Sequence, residues 1–223
     1  WADPDIGGTN GSNDDLGGCD TLLKLGYMYN SAPDPSYGIN PPALGIPFLQ
    51  EASVFIPGET FIDINSNGFF DDSIDVPLDS AFINNGPLIG IKVLPGARNQ
   101  KVSSFIVNIN NDPILNDPSF AIEARNFMLG YDKTGNVINP CNWNYGIVTG
   151  GVDCATVDPR FWYSGNPVLF GGYGWINSYP GDQRMLINNG PFTLELDKPI
   201  DIIVCYLIGR GSSALNSVTV MKS

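Results

Sequence analysis

The chain has no histidine among its 223 residues. That absence removes Ser-His-Asp and Cys-His catalytic sets, His-ligated zinc, His-ligated haem and the HExxH protease motif together. Basic residues are also scarce: 11 Lys and Arg stand against 23 Asp and Glu, for a formal net charge of −12. So few cations cannot offset phosphate repulsion, which argues against nucleic acid or an anionic membrane surface as partner. Long apolar runs are missing as well. The longest, Ile200 to Gly209, spans about ten residues and is interrupted by Asp201, whereas a membrane helix needs about twenty. There is no GxSxG, P-loop or GxGxxG match, and no CxxC. No catalytic constellation is visible, and the chain reads as a non-enzyme.

What is present is glycine and proline, 26 and 18 residues respectively. They punctuate short apolar runs: 22–29, 52–56, 60–64, 88–93, 103–109, 185–187, 192–196 and 200–208. Runs of this length bounded by Gly, Pro, Asn and Asp predict antiparallel strands. Two helices interrupt them. Asn116-Asp117-Pro118 opens the first, with Phe120, Phe127, Met128 and Tyr131 as anchors and Gly130 as exit. The second starts near Ser212 or Ser213 and carries Leu215, Val218 and Met221. The expected fold is mainly β, an antiparallel sandwich-like domain with a short inserted helix and a C-terminal helix. The sequence opens on Trp1 rather than Met, and its last helix lacks a stop signal. Residues 1–223 are therefore expected to be a single β-rich module from a longer multi-domain protein.

Cys141 and Cys154 bracket a Gly-, Asn- and Trp-rich loop, a place suited to a disulfide. Closing that loop is worth roughly 3 kcal/mol by chain entropy, and it implies an oxidising compartment, extracellular or periplasmic. Cys205 reads as a small buried hydrophobe. Whether it pairs with Cys19 is left open.

The strongest chemical pattern begins at Asp63. Oxygen side chains fall at loop positions 1, 3, 5 and 9 (Asp63, Asn65, Asn67, Asp71), Gly68 stands at 6, and the Phe69 carbonyl can serve at 7. This is calcium-loop spacing, in which alternate side chains converge on one ion. Position 12 is Ile74 instead of a bidentate Glu, and Asp75 is the nearest acid. Strand-like flanks make it an ion loop in a β-setting, with affinity in the weak extracellular range around 10⁻⁴ to 10⁻³ M. The alternative is an Asx-rich turn whose side chains bond their own backbone. Asp3, Asp5, Asp14, Asp15 and Asp20 form a second acidic group among glycines. Their irregular spacing favours a solvated loop over a second ion site.

Aromatics crowd between 161 and 179. Exposed, Trp162, Tyr173 and Trp175 would form a glycan-stacking platform; buried, they are packing beneath a Gly-rich connection, the favoured reading. The pairs Asp71/Asp72 and Glu51/Glu59 could serve a glycosidase only across a cleft, and nothing in the sequence places them so.

Several stretches carry a broader likeness: Trp1 to Gly7, Asp14 to Thr21, Leu25 to Asn30, Asp63 to Pro77, Gly86 to Gly90, Gly165 to Pro167, Gly174 with Trp175, Gly181 to Leu194, and Gly209 to Val218. In these the chain resembles a module of large surface proteins exported by bacterial type IX secretion, departing from it at Leu196 to Pro199. The resemblance implies a secreted, multi-domain surface protein and supplies no catalytic role. The resulting expectation is a non-catalytic structural, adhesive or assembly module stabilised by calcium. Its partners would be other extracellular chains or domains, with no nucleic acid and no membrane insertion. The alternative is a carbohydrate-binding or polysaccharide-acting module using the 161–179 aromatics.

Overall fold

The computed structural model describes residues 1–7 and 13–223. In chain order its strands are β1 Asp15–Asp20, β2 Leu25–Asn30, β3 Ala43–Gln50, β4 Ser53–Val54, β5 Phe61–Ile62, β6 Val76–Pro77, β7 Ser80–Asn84, β8 Ile91–Pro95, β9 Arg98–Asn99 and β10 Val102–Ile109. Helix α1 (Ala121–Met128) follows, then β11 Gly146–Thr149, β12 Gly174–Asn177, β13 Gln183–Asn189, β14 Ile203–Val204, β15 Leu207–Gly209 and helix α2 (Ala214–Lys222). The fold is mainly β with antiparallel ladders, as the sequence predicts. Two compact units divide the chain. The first holds 1–47, 103–188 and 205–223; the second holds 48–102 and 189–204.

In the first unit β1, β2, β3 and β15 form an antiparallel sheet. Nearly every residue of β1 and β2 is buried, because both faces of the sheet are covered. Side chains alternate between the faces with period two. Leu25, Tyr27 and Tyr29 point to one core with Leu16, Ala43, Val218 and Met221. Met28, Cys19 and Ile46 point to the other, with Phe105, Val107 and Met185. The first face packs on α2 and the second on the β10–β13 ladder.

Close packing on two sides requires small residues. A Cβ on Gly18 would fall 2.6 Å from the Tyr27 ring, and one on Gly17 would fall 2.6 Å from Val107. On the α2 face, a Cβ on Gly45 would meet the Met221 sulfur at 2.3 Å, and one on Gly209 the Met221 backbone nitrogen at 2.2 Å. Helix α2 starts where the sequence places it. The Ser213 hydroxyl accepts from the Asn216 amide at 3.1 Å, satisfying one of the open donors of the first turn. At its far end Lys222 pairs with Asp20 at 3.0 Å and lies over the Tyr27 ring.

The far side of β10 carries α1 and the aromatic segment. Ser104 donates to the Met128 carbonyl at 2.8 Å, and Phe105 exchanges backbone bonds with Arg160 and Trp162. A Cys141–Cys154 disulfide joins two single-turn helices, Pro140–Asn142 and Cys154–Thr156. Cys19 and Cys205 are free; Cys19 is buried with its thiol toward the Trp162 carbonyl at 3.5 Å. Among the described residues no helix is long and apolar enough to cross a membrane.

The second unit is a set of short pairs: β4 with β9, β5 with β6, β7 with β8, and β14 with residues 48–50 of β3. Its interior is small. Phe61, Ala52, Ala81 and Ala97 are fully buried, and Phe70 stacks on Phe55 while meeting Phe61 edge-on.

Three expectations need correction. The Gly- and Asp-rich stretch ending at Gly18 reads in sequence as a loop, solvated or ion-tethered. Residues 8–12 lie outside the described residues, but 15–18 belong to the buried strand β1, because the glycines there make room for side chains from both layers. The run 192–196 forms no strand, since no neighbouring backbone pairs with it. The run 200–208 yields two short strands, β14 and β15, interrupted at Cys205 and Tyr206, with a register shift inside β14.

Two predictions follow from the two-sided packing. Gly45→Ala should destabilise the chain by about 1–3 kcal/mol through overpacking against α2, whereas Gly181→Ala, whose Cβ would meet nothing nearer than Tyr179 at 3.6 Å, should stay within about 0.5 kcal/mol. Urea denaturation of both variants checks the contrast. The second concerns Asp20. Burial opposes its charge, but the Lys222 ammonium and the Leu23 and Leu22 amides outweigh burial and hold it below its ordinary value of 3.8. A depressed folded pKa contributes stability above the unfolded value, and that contribution fades as pH falls through the folded one. The stability gap between the native chain and Lys222→Met should therefore be widest at pH 6 and shrink toward pH 3, read from denaturation midpoints across that range.

Candidate metal centre

The 63–75 loop lies in the second unit, between β5 and β6. Its ends are clamped by the pairs Phe61↔Pro77 and Ile62↔Val76, which gives the β-flanked setting that the sequence implies. Within the clamp the chain must turn tightly, and Ser66 (φ 56°) and Gly68 (φ 82°) take the left-handed conformation to do so. The turn draws the spaced oxygen side chains together. Asp63 accepts from the Gly68 amide at 2.8 Å and the Asn67 amide at 3.2 Å. Asn65 and Asn67 accept from amides two residues onward, and both donate to the same oxygen of Asp71 at 2.8 Å. Those two donors hold the Asp71 carboxyl below its ordinary range.

Asp63, Asn65, Asn67 and Asp71 are thus brought together by local geometry. Asp75 occupies a different place. It is buried, with one oxygen accepting from the Ile64 amide at 2.9 Å and the other from the Asp71 amide at 2.8 Å. It braces the two ends of the loop from beneath. The Phe69 ring lies under the Lys198 ammonium, 5.3 Å from its centroid. The bonds within the loop are also those of an Asx-rich turn, so one backbone conformation accommodates both readings of the sequence.

The aromatic segment divides between surface and core: Phe170, Tyr173 and Tyr179 are exposed, and the two tryptophans are not. Trp162 and Trp175 are 0% and 1% exposed, so neither offers a face to a sugar. Trp162 meets Trp143 edge-on, and Trp175 packs on Tyr163. Tyr173 alone of the three proposed glycan contacts is exposed, at 52%. The physical reason is apolar burial: both indoles belong to the main core of the first unit, with Phe105, Phe127 and Tyr163.

One feature is invisible in the sequence, and another is only partly legible, since Asp3, Asp5 and Asp15 stand out there but Asp182 does not. A cleft of about 640 Å³ in the second unit is lined by residues including Phe55, Phe69, Phe192, Lys92 and Lys198. Its residues come from segments far apart in the chain, so no local pattern marks it. The other feature is an acidic group in the first unit. The Ala2–Met185 bridge lays the first residues along β13, and Asp3, Asp5 and Asp182 then hold carboxylate oxygens within 4.8 Å of one another. Asp15 is buried beside them. Burial first, then the charges of Asp14 and Asp5, push its carboxyl up to about 8, the Ile6 amide opposing.

Family models, curated proteins and solved structures give no match to this chain.

The brace leads to a prediction. Asp75→Ala removes two charge-assisted hydrogen bonds that a buried carboxylate accepts from part-buried amides, each worth about 1.5–3 kcal/mol, and should destabilise the second unit by a comparable amount. Hydrogen exchange at the Ile64 and Asp71 amides, together with a denaturation curve, checks it; unchanged protection at both amides would contradict the assignment.

Proposed function

We propose that the chain is a non-catalytic extracellular module serving structure, adhesion or assembly, stabilised by a calcium ion in the 63–75 loop. The observation that carries the reading is the convergence of Asp63, Asn65, Asn67 and Asp71 within a clamped, tightly turned loop. These four side chains and the Phe69 carbonyl would hold the ion. Asn65 and Asn67 direct nitrogen at Asp71, but a half-turn of each terminal amide presents oxygen instead. A donor set of oxygens alone suits calcium over softer metals. The ion supplies positive charge where two carboxylates and two amides meet.

Three further facts support the setting. The Cys141–Cys154 disulfide fits an oxidising compartment. The net charge of −12 disfavours polyanionic partners. The likeness to type IX exported modules covers most of the chain. For an assembly role, the β7–β8 hairpin presents Phe82, Leu88, Ile89, Ile91 and Val93 to solvent, and exposed apolar clusters of this kind mark contact surfaces. The carbohydrate reading loses two of its three residues to the interior.

Calcium that binds only the folded chain stabilises it by RT ln(1 + [Ca]/Kd), about 1.4 kcal/mol at ten times Kd. EDTA should lower the melting temperature, and calcium in the millimolar range should restore it. The double variant Asp63→Ala with Asp71→Ala should lose the part of that response belonging to the loop. A calcium response identical in native chain and loop variant would sink the reading.

A further inference from the structure

We propose that Asp3, Asp5, Asp15 and Asp182, with the side-chain oxygen of Asn30, form a second binding site for a hard divalent cation of calcium's size. The site lies wholly in the first unit and does not rest on the 63–75 loop.

Four stretches of chain build it. Backbone bonds of 2.9 Å in each direction between Ala2 and Met185 place Asp3 and Asp5 beside Asp182. The Gly181 amide donates to the Asp15 carbonyl at 3.2 Å, which brings the start of β1 to the same point. Asp15 and Asn30 are directly paired across β1 and β2, so their side chains leave the sheet on one face. Asn30 donates to the Ile6 carbonyl at 2.8 Å and to Asp14, tying the segment that carries Asp5 over that face.

The decisive feature is the set of oxygens left over. Asp15 and Asn30 are each 1% exposed. Among the described residues, neither Asp15 oxygen has a hydrogen-bond donor, nor does Asn30 Oδ1, nor Asp182 Oδ1. The Ile6 amide lies near Asp15, close enough to favour its charged form, yet outside hydrogen-bonding geometry. Four buried acceptors are costly to leave unpaired, and the charges of Asp5 and Asp182 are felt at Asp15. A cation seated between Asp15 and the Asp3, Asp5 and Asp182 group would relieve them without a proton donor.

Arg184 does not fill this role. Its guanidinium reaches Asp3 at 2.7 Å, Asp117 at 3.3 Å and Asp182 at 3.6 Å. Among the described residues no ion pair reaches Asp5, Asp14 or Asp15. One positive charge faces a concentration of carboxylates, and it stands to one side of the buried one. Asp3 keeps a second oxygen free of the Arg184 contact.

Size follows from spacing. Oxygens on opposite sides of an ion are separated by at most twice the metal–oxygen length, about 4.6–5.2 Å for calcium and about 4.0–4.2 Å for magnesium. The carboxylate oxygens of Asp3, Asp5 and Asp182, all within 4.8 Å of one another, fit inside the span that calcium allows. The donors are all oxygen, the chemistry of a hard cation.

Native mass spectrometry and calorimetric titration of the full chain with calcium chloride test the site. The native chain should bind two ions. Asp5→Asn, a surface change, and Asp15→Asn, a change of the same shape, should each bind one fewer or weaken that ion at least tenfold, with circular dichroism unchanged. The loop variant Asp63→Ala with Asp71→Ala should retain the ion of the first unit. If both Asp5→Asn and Asp15→Asn fold and bind calcium as the native chain does, the proposal is overturned and the oxygens are relieved by protonation of Asp15. One ion lost only in the loop variant overturns this site and leaves the loop reading standing; one lost only in the Asp5 and Asp15 variants does the reverse. No ion in the native chain overturns both.

Discussion

A sheet covered on both faces must find room for two layers of side chains, and in the first unit that room comes from glycine. Tyr27 lies over Gly18, Val107 over Gly17, and Met221 over Gly45 and Gly209. The bulky partner comes from a neighbouring strand, from the opposite layer or from α2, so the three layers fit as a matched set. The same constraint fixes which face each β1 residue takes. Since Gly17 and Cys19 must meet the β10–β13 ladder, period two sends Asp15 to that face as well. A carboxylate is thereby carried inside by the register of its strand. Its burial is a consequence of packing, and its electrostatics must be resolved where packing leaves it.

How much of this is legible in the sequence depends on whether the signal is local. Helix α2 declares itself through the Ser213 cap and the spacing of Val218 and Met221, both encoded within one turn or two. The Asp63 loop is legible for the same reason, since its oxygens alternate along ten consecutive residues and close on themselves. Strand β1 is not, because Gly17 and Gly18 carry no hydrophobic signal of their own; their role exists only in relation to Tyr27 on the next strand and Val107 far along the chain. The run 192–196 shows the converse error. It alternates like a strand, yet Leu194 and Leu196 stay exposed, because alternation supplies a face but no ladder partner. Trp162 and Trp175 look alike in sequence whether they bind a sugar or fill a core, and burial alone separates the two.

The acidic balance takes on a different meaning once the chain is folded. Spread evenly, a net charge of −12 would act mainly on solubility and partner choice. Instead carboxylates gather at two places, one in each unit. In the loop they are partly compensated by side-chain amides: Asn65 and Asn67 serve Asp71, while backbone amides serve Asp63 and Asp75. In the first unit the compensation is incomplete, with Arg184 beside Asp3 and Asp182 and, among the described residues, nothing of opposite charge paired with Asp15.

That contrast in construction sets what a cation would do at each place. The loop draws its oxygens from one short segment whose conformation is already held by β5, β6 and Asp75. An ion there orders little more of the chain, so its effect stays within the second unit and its affinity stays weak. The acidic group of the first unit draws on residues 3–5, 15, 30 and 182, segments that the unfolded chain holds far apart. Closing such long loops costs entropy that grows slowly with their length, and an ion bridging them acts only on the folded chain, where all four segments have met. Binding there is coupled to docking of the first residues onto β13 and to the pairing of β1 with β2. A cation at the long-range site therefore acts on the fold of the whole first unit, while one at the local site acts on a loop, although the chemistry of the two donor sets is the same.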